Sequence, residues 1–425
     1  MLRQLGNFWI LGVTTIVLAC TSNVVAQTSY KVTDLGRGES DNEACAMSVN
    51  DEGWTEIMTW NGDPTQNVNF IQATLLSGRA LIDADGFKFD LGTLGGKNSW
   101  MNWGQINNFG QIVGMSETAV PDPNGEDICG FNTRLTCRPF VWQLFHMSAL
   151  PTLGGNNGEA SAINSRGQIA GMAENGDVDS SCSPGTTNNR LQLPVLWENG
   201  KVQALPTGND PSGFANWIND HGQAVGYTGT CGAMGHAVSW ENGTITVLTD
   251  LGNGAGAIAY GNNNRGQIVG SVFVTPGGAT RYGALWQNGV LTNLGTLPGD
   301  MSAIATGIND QGQVVGSTWD SSFNWSHAFI YQDGVMTDLN TLFLKGTNLR
   351  ATMANKINER GQISGMGTVL SGPDMGKLHA FLATPVNESV GTSVADVAST
   401  RPGSNLPVNV GQQPLQRFGL GQLGR

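Results

Sequence analysis

One short pattern recurs along the chain and constrains it more than any other feature. It reads INNFGQIVG from Ile106, INSRGQIAG from Ile163, INDHGQAVG from Ile218, NNNRGQIVG from Asn262, INDQGQVVG from Ile308 and INERGQISG from Ile357. A degenerate copy, VNDEGWTEI, starts at Val49. Each copy is an apolar run ending in Asn, two mostly polar residues, a Gly and a second apolar run, which is the composition of a β-hairpin with a tight turn. The turn asparagines are Asn50, Asn107, Asn164, Asn219, Asn263, Asn309 and Asn358, with spacings of 57, 57, 55, 44, 46 and 49 residues. That period is too long for one coil of a β-helix and matches one four-stranded blade. The expected fold is therefore all-β, a seven-bladed β-propeller of four-stranded blades.

The sixth repeat displays the four strands: Ala303 to Asn309, Gln313 to Ser317, His327 to Tyr331 and Val335 to Leu339. Strands three and four are joined by turns such as Glu198-Asn199-Gly200, Glu241-Asn242-Gly243, Gln287-Asn288-Gly289 and Gln332-Asp333-Gly334. Asn-Gly and Asp-Gly tolerate the positive φ angles that two-residue hairpins need. The last repeat stops after its third strand, His379-Ala-Phe-Leu-Ala-Thr-Pro385, and the missing fourth lies at the other end of the chain, in Tyr30 to Gly36. An N-terminal strand completing the last blade closes the ring and removes exposed sheet edges.

Sixty glycines and only 13 % charged residues suit many turns and short strands. The formal charge of −12 and pI near 4.8 argue against a nucleic-acid partner. Residues 1–26 read as an export signal, with Arg3 before an apolar stretch from Phe8 to Ala19 and small residues at Val24-Val25-Ala26. Val17-Leu18-Ala19-Cys20 offers a second reading, a lipobox whose cleavage leaves Cys20 acylated as a surface anchor. No later stretch is long and apolar enough for a transmembrane helix. Residues 27–385 form the repeat region, and 386–425, rich in Ser, Gly, Pro, Gln and Asn, a flexible C-terminal tail. Cysteine usage agrees with export to a secreted, extracellular or periplasmic location. Cys129 and Cys137 flank a short polar segment, Cys182 and Cys231 lie in corresponding loops of successive repeats, and Cys45 is left over.

The full repeat runs from small residues through Ile-Asn-x-x-Gly-Gln-Ile-Val-Gly to His-Ala-Phe-Leu-Trp with Asn-Gly, then Asp-Leu-Gly-Thr-Leu-Gly-Gly. It resembles the HAF family of extracellular repeats over about Tyr30 to Pro385. The triplet is intact at His327-Ala328-Phe329 and His379-Ala380-Phe381, partial at His236-Ala237, and decayed at Arg79-Ala80-Leu81, Arg138-Pro139-Phe140, Leu193-Pro194-Val195 and Tyr282-Gly283-Ala284. The resemblance implies an exported, bacterial repeat protein and brings no catalytic residues with it.

Chemistry is sparse in this pattern. The turn asparagines are expected to cap their own turns, and the three repeat-position histidines to bond within their own blades. Calcium is the ion best matched by hard oxygens, at Asp122, Asn124, Glu126 and Asp127, with Glu174, Asp177 and Asp179 in the corresponding loop of the next repeat. There is no GxSxG, HExxH or phosphate loop, and no residue is seen to break the repeat as a recruited acid or base would. The long inserts Glu117 to Cys137 and Glu174 to Leu193 carry the variable surface. The expectation is a monomeric, non-catalytic binding or interaction module with a protein or glycan ligand. Its alternatives are a carbohydrate-active hydrolase or lyase with an acidic site at the channel mouth, and a lipid-anchored structural surface protein.

Overall fold

The computed structural model describes residues 28–386 except 38–42, 63–74, 102–104, 187, 232, 253, 277, 279 and 322–324. The export segment, Cys20 and nearly all of the proposed tail lie outside the described residues. The chain forms seven four-stranded antiparallel sheets arranged as a β-propeller, with a short 3₁₀ turn at Leu339–Leu342. Six blades are consecutive meanders. In the sixth, the strands are Ser302–Ile308, Val314–Trp319, Trp325–Gln332 and Val335–Asp338. The seventh runs Leu349–Ile357, Ile363–Val369, Leu378–Val386, and its outer strand is Ser29–Gly36, which pairs antiparallel with Leu378–Val386. Buried Tyr30 also accepts the Leu344 amide through its carbonyl, tying the N-terminal strand to the segment after the 3₁₀ turn.

Adjacent blades pack through apolar clusters into which the third strand inserts its bulkiest residue. Trp142, Trp197, Trp240 and Trp286 are all at most 2 % exposed. Burying an indole leaves one N–H to satisfy. Trp197 Nε1 donates to Pro151 O, Trp240 Nε1 to Pro206 O and Trp286 Nε1 to Thr249 O, each at 2.7 Å. Each acceptor lies on the crossing that enters that blade, so one side chain fills the gap between sheets and also fixes the connection.

The turn asparagines hold the ring together. Each Oδ1 accepts amides of its own turn, as at Asn164 from Arg166 N (3.1 Å) and Gln168 N (3.0 Å). Each Nδ2 also reaches the next blade's turn asparagine and donates to its carbonyl. Asn50 bonds to Asn107 O at 3.2 Å, Asn107 to Asn164 at 3.1 Å, Asn164 to Asn219 at 3.0 Å and Asn219 to Asn263 at 2.9 Å. Asn263 bonds to Asn309 at 2.9 Å, Asn309 to Asn358 at 3.1 Å, and Asn358 returns to Asn50 at 2.8 Å. The local capping expected from sequence is therefore half of what these residues do; the amide nitrogen makes a cyclic bond from blade to blade.

A second circumferential layer lies deeper. In six inner strands the register shifts just before the strand ends, as at Ala160/Ala162, Ala215/Trp217, Ala305/Gly307 and Ala354/Lys356. A bulge re-aims the extra residue, and here it faces the next blade. Asn216 Nδ2 donates to Ala259 O at 2.7 Å, Thr306 Oγ1 to Ala354 O at 2.8 Å and Asn355 Nδ2 to Ala46 O at 2.9 Å. The bulge also explains the glycine of Gly-Gln-x-x-Gly. A Cβ on Gly226 would lie 1.9 Å from Phe214 O, and one on Gly316 2.0 Å from Ile304 O.

The outer hairpins place Asp85, Asn199, Asn242, Asn288 and Asp333 at φ between 50° and 57°, each followed by Gly. Blade 2 makes the same turn with Leu144 (φ 53°) and Phe145 (φ 63°), residues that resist this conformation. Phe145 offsets the strain by edge-to-face packing on Trp142 and on Phe89 of blade 1, both at 5.7 Å. If the cyclic bond sets stability, Asn358→Ala at the seam should cost about 2 kcal/mol, and Asn358→Asp, which keeps the acceptor and loses the donor, should also destabilise. Urea unfolding of both variants measures this; an Asp variant as stable as wild type would leave capping as the whole role.

Candidate functional site

Strands alternate in direction, so the asparagine hairpins and outer hairpins lie on one face, and the second-to-third-strand loops and blade crossings on the other. Both faces, and the channel between them, hold clusters of polar side chains.

At the hairpin mouth the residue after each turn asparagine forms a further chain of bonds. Glu359 N donates to Asp51 Oδ1 at 3.0 Å, Asp310 N to Glu359 Oε1 at 2.9 Å, Asn264 N to Asp310 Oδ1 at 2.8 Å and Asp220 N to Asn264 Oδ1 at 2.9 Å. The acidic residues at this mouth thus serve as acceptors between blades. Burial, with Asp310 and Asp51 adding to it, holds the Glu359 carboxyl above its ordinary range.

Beneath the mouth the channel narrows to a cavity of about 140 Å³. Here two residues do break the repeat, a correction to the sequence reading. Lys356 stands where the other blades have Ser48, Gln105, Ala162, Trp217, Gly261 and Gly307; Glu56 stands where they have Val113, Ala170, Val225, Val269, Val315 and Ser364. Aligning the repeats by their turn asparagines is the signal that finds them. Lys356 Nζ donates to Thr306 O of blade 6 at 2.7 Å and lies 3.6 Å from the ring centroid of Trp217 in blade 4. Burial pulls the amine down to about 7 and pushes the Glu56 carboxyl well up, each opposed by the other's charge. Neither Glu56 oxygen accepts a hydrogen bond. With its amine engaged by a carbonyl and an indole face, Lys356 acts as a brace across three blades. Nearby Cys45 is a buried free thiol beside Asn355 Nδ2 (3.1 Å), and burial pushes it up to about 12, so it stays a thiol near neutral pH.

On the opposite face the two inserts interlock. Glu126 Oε1 accepts the amides of Asn189 (3.0 Å) and Arg190 (3.2 Å) in the next blade's insert. Asp127 N donates to Asn188 Oδ1 at 2.9 Å, and Arg190 donates to Asn124 Oδ1 at 2.7 Å and to Gly176 O at 3.0 Å. Disulfides staple the assembly: Cys129–Cys137 within the blade 2 insert, and Cys182–Cys231 from blade 3 to blade 4. The four calcium-candidate residues thus share one loop with their oxygens turned largely to N–H donors. Asp122 Oδ1 takes Asn124 N (2.8 Å) and Glu126 N (3.1 Å), its Oδ2 takes Asn157 Nδ2 (2.9 Å), and Asp127 Oδ2 takes Asn132 N (2.8 Å). Among the described residues, the group of His, Cys, Asp or Glu whose ligand atoms come within 4.8 Å of one another is Asp179, Cys182 and Cys231, two of which are joined as a disulfide.

Glu174 joins this cluster from the adjoining strand. Its Oε2 accepts both Asn157 N (3.0 Å) and Asn157 Nδ2 (3.1 Å), while its Oε1 accepts nothing. Burial, then repulsion from Glu126 and Asp122, pushes the carboxyl up to about 7. Beyond it, between the blade 3 insert and blade 4, opens a cleft of about 390 Å³ lined by Asp179, Arg190, Gln192, Ser212, Tyr227 and Thr230 among others. The histidines bond as the sequence suggests: His236 to Asp210, His327 to Asp300 and His379 to Asp34, each through Nδ1 at 2.9 Å.

No family model matches the chain, and no curated protein matches it. Solved structures do resemble it. The β-propeller domain of the Trilobed protease from Pyrococcus furiosus aligns with 84 % of this chain and 97 % of its own, at 8 % identity and a TM-score of 0.46. A gluconolactonase from Xanthomonas campestris aligns over 84 % and 90 % of the two chains at 9 % identity and a TM-score of 0.38. A sialidase from Trypanosoma rangeli aligns over 84 % of this chain and 55 % of its own at 9 % identity and 0.36. Propellers carry unrelated activities, and no residue role transfers at these identities. The strand order above is what defines the chain as a seven-bladed β-propeller. Among the described residues no helix is long and apolar enough to cross a membrane, and the two disulfides are compatible with an extracellular protein.

Glu174 has a testable titration. Its carboxyl sits near 7 in the folded protein and near 4.5 unfolded, so its contribution to stability is full below pH 4.5 and is lost as pH rises to 7. Glu174→Gln removes that loss. The unfolding free energy of the variant, measured by urea titration, should gain on that of wild type increasingly from pH 4.5 to 7, by up to about 3 kcal/mol; a gap that stays constant with pH would refute the buried-carboxylate account.

Proposed function

We propose that the chain is an exported, non-catalytic binding module acting outside the cell or at its surface, a member of the HAF type of repeat protein, with a protein or glycan ligand. The observation that carries this reading is the face formed by the blade 2 and blade 3 inserts. Loops of this length would ordinarily be mobile and costly to order on binding. Here two disulfides and the Glu126, Asn124 and Asn188 contacts hold them in one arrangement in advance. A rigid ring that presents preorganised, non-repeating loops is built for recognition. A separate set of contacts weighs against a hydrolase at the hairpin mouth, because the carboxylates of Asp51, Glu359 and Asp310 accept backbone amides of their neighbours. Export accounts for the disulfides, and anchoring through Cys20 would place the same module on a membrane surface.

Immobilised glycans and envelope proteins, each presented with and without a chelator, test this. Retention of the full chain with the ligand recovered unchanged is the expected outcome. Release of shortened or modified ligand would overturn the non-catalytic reading, and loss of retention with chelator would bring a calcium site at Asp122, Asn124, Glu126 and Asp127 into it.

A further inference from the structure

The cleft between blades 3 and 4 has a chemistry narrower than the surface around it. Its volume of about 390 Å³ falls in the range of small-molecule sites. The charged groups in its walls are already committed. Asp179 Oδ1 accepts Ser181 N (2.9 Å) and Ser181 Oγ (2.6 Å), and its Oδ2 accepts Ser212 Oγ (2.7 Å). The two terminal nitrogens of Arg190 donate to Gly176 O and Asn124 Oδ1, and its Nε is buried. A charged ligand would therefore meet no free counter-charge, and would have to break one of these pairs to be held.

What the cleft leaves free is neutral. Tyr227, Gln192 and Thr230 line the space, and their side chains make no hydrogen bond among the described residues. The Tyr227 ring is fixed by stacking on Phe214, with centroids 6.2 Å apart and planes 7° from parallel. Burial holds the phenol above its ordinary range, so its hydroxyl stays protonated and able to donate. Uncharged donors and acceptors beside the edge of a fixed aromatic pair complement a molecule that alternates C–H groups with hydroxyl groups. The wall that bears Cys231 is pinned by the disulfide to Cys182 and by Cys231 N donating to Ser181 Oγ at 2.8 Å, so the cleft needs little ordering on binding.

We infer that this cleft is a binding site for a neutral saccharide, recognised by Tyr227, Gln192 and Thr230. The inference rests on the binding-module reading and gives that module a site and a ligand class.

Titration calorimetry of the full chain with short cello-, malto-, xylo- and chito-oligosaccharides, and with uronic-acid oligomers as charged counterparts, tests it. One neutral series should bind with one site per chain. Gln192→Ala and Tyr227→Phe should each weaken it by about fivefold to tenfold with unchanged melting temperatures; Tyr227→Phe retains the stacked ring, so a folding defect would not explain its effect. Preference for the uronic-acid oligomers would overturn the charge argument. Saccharide binding untouched by both variants would overturn the cleft while leaving the binding module in place. No binding by any neutral series would overturn the inference. Consumption of the saccharide during titration would instead sink the non-catalytic reading beneath it.

Discussion

The fold depends on seven primary amides doing two jobs at once. An asparagine oxygen that closes its own turn leaves the amide nitrogen pointing sideways, and in a ring of blades sideways means towards the neighbour. Because Asn358 donates to Asn50 O as Asn50 donates to Asn107 O, the bonds form a cycle with no end group. Each turn is therefore positioned by both neighbours, and the mouth of the channel is a bonded belt. Neither Asp, which lacks the donor, nor Gln, whose longer chain misplaces the oxygen, reproduces both contacts. That is the physical reason for the near-uniform turn, and the bulge layer beneath repeats the principle with Asn216, Thr306 and Asn355.

The architecture was legible in the sequence because a propeller repeats its local chemistry. Hairpin spacing counts blades, and the displaced Tyr30 segment names the strand that completes the seventh. Strand ends were read to within a residue or two, as in Ser302–Ile308 against Ala303 to Asn309. What the pattern concealed were contacts between repeats. An Asn-x-x-Gly turn looks the same whether or not its amide bonds across a gap, and nothing local announces that the inner strand bulges. The Leu144-Phe145 turn is a different failure: its residues contradict the hairpin signal, and the conformation is imposed by packing on Trp142 and Phe89.

Lys356 and Glu56 show the cost of departing from the pattern inside the ring. Two opposite charges buried in a low-dielectric channel recover only part of their desolvation, and each is displaced towards its neutral form. What Lys356 gains is reach. A small residue at its position cannot touch both Thr306 and Trp217, whereas the extended amine links blades 4, 6 and 7 across the axis. The charge pair is thus tied to ring rigidity, and its removal affects stability before any surface property.

The proposed binding face is the one this division of labour leaves unconstrained. On the hairpin side, the polar atoms of repeated positions are spent between blades, so a ligand there would compete with bonds that hold the ring. The crossing side has no such cycle. Its loops differ in length, so they cannot bond by symmetry, and blades 2, 3 and 4 replace symmetry with disulfides and one-off contacts such as Glu126 to the Asn189 and Arg190 amides. Contacts of this kind engage Glu126, Asp179 and Arg190 with neutral backbone, serine and asparagine partners beside the space lined by Gln192, Tyr227 and Thr230. The saccharide site proposed above draws on the same constraint that builds the propeller: where the repeat ends, the polar groups it would have consumed become available to something else.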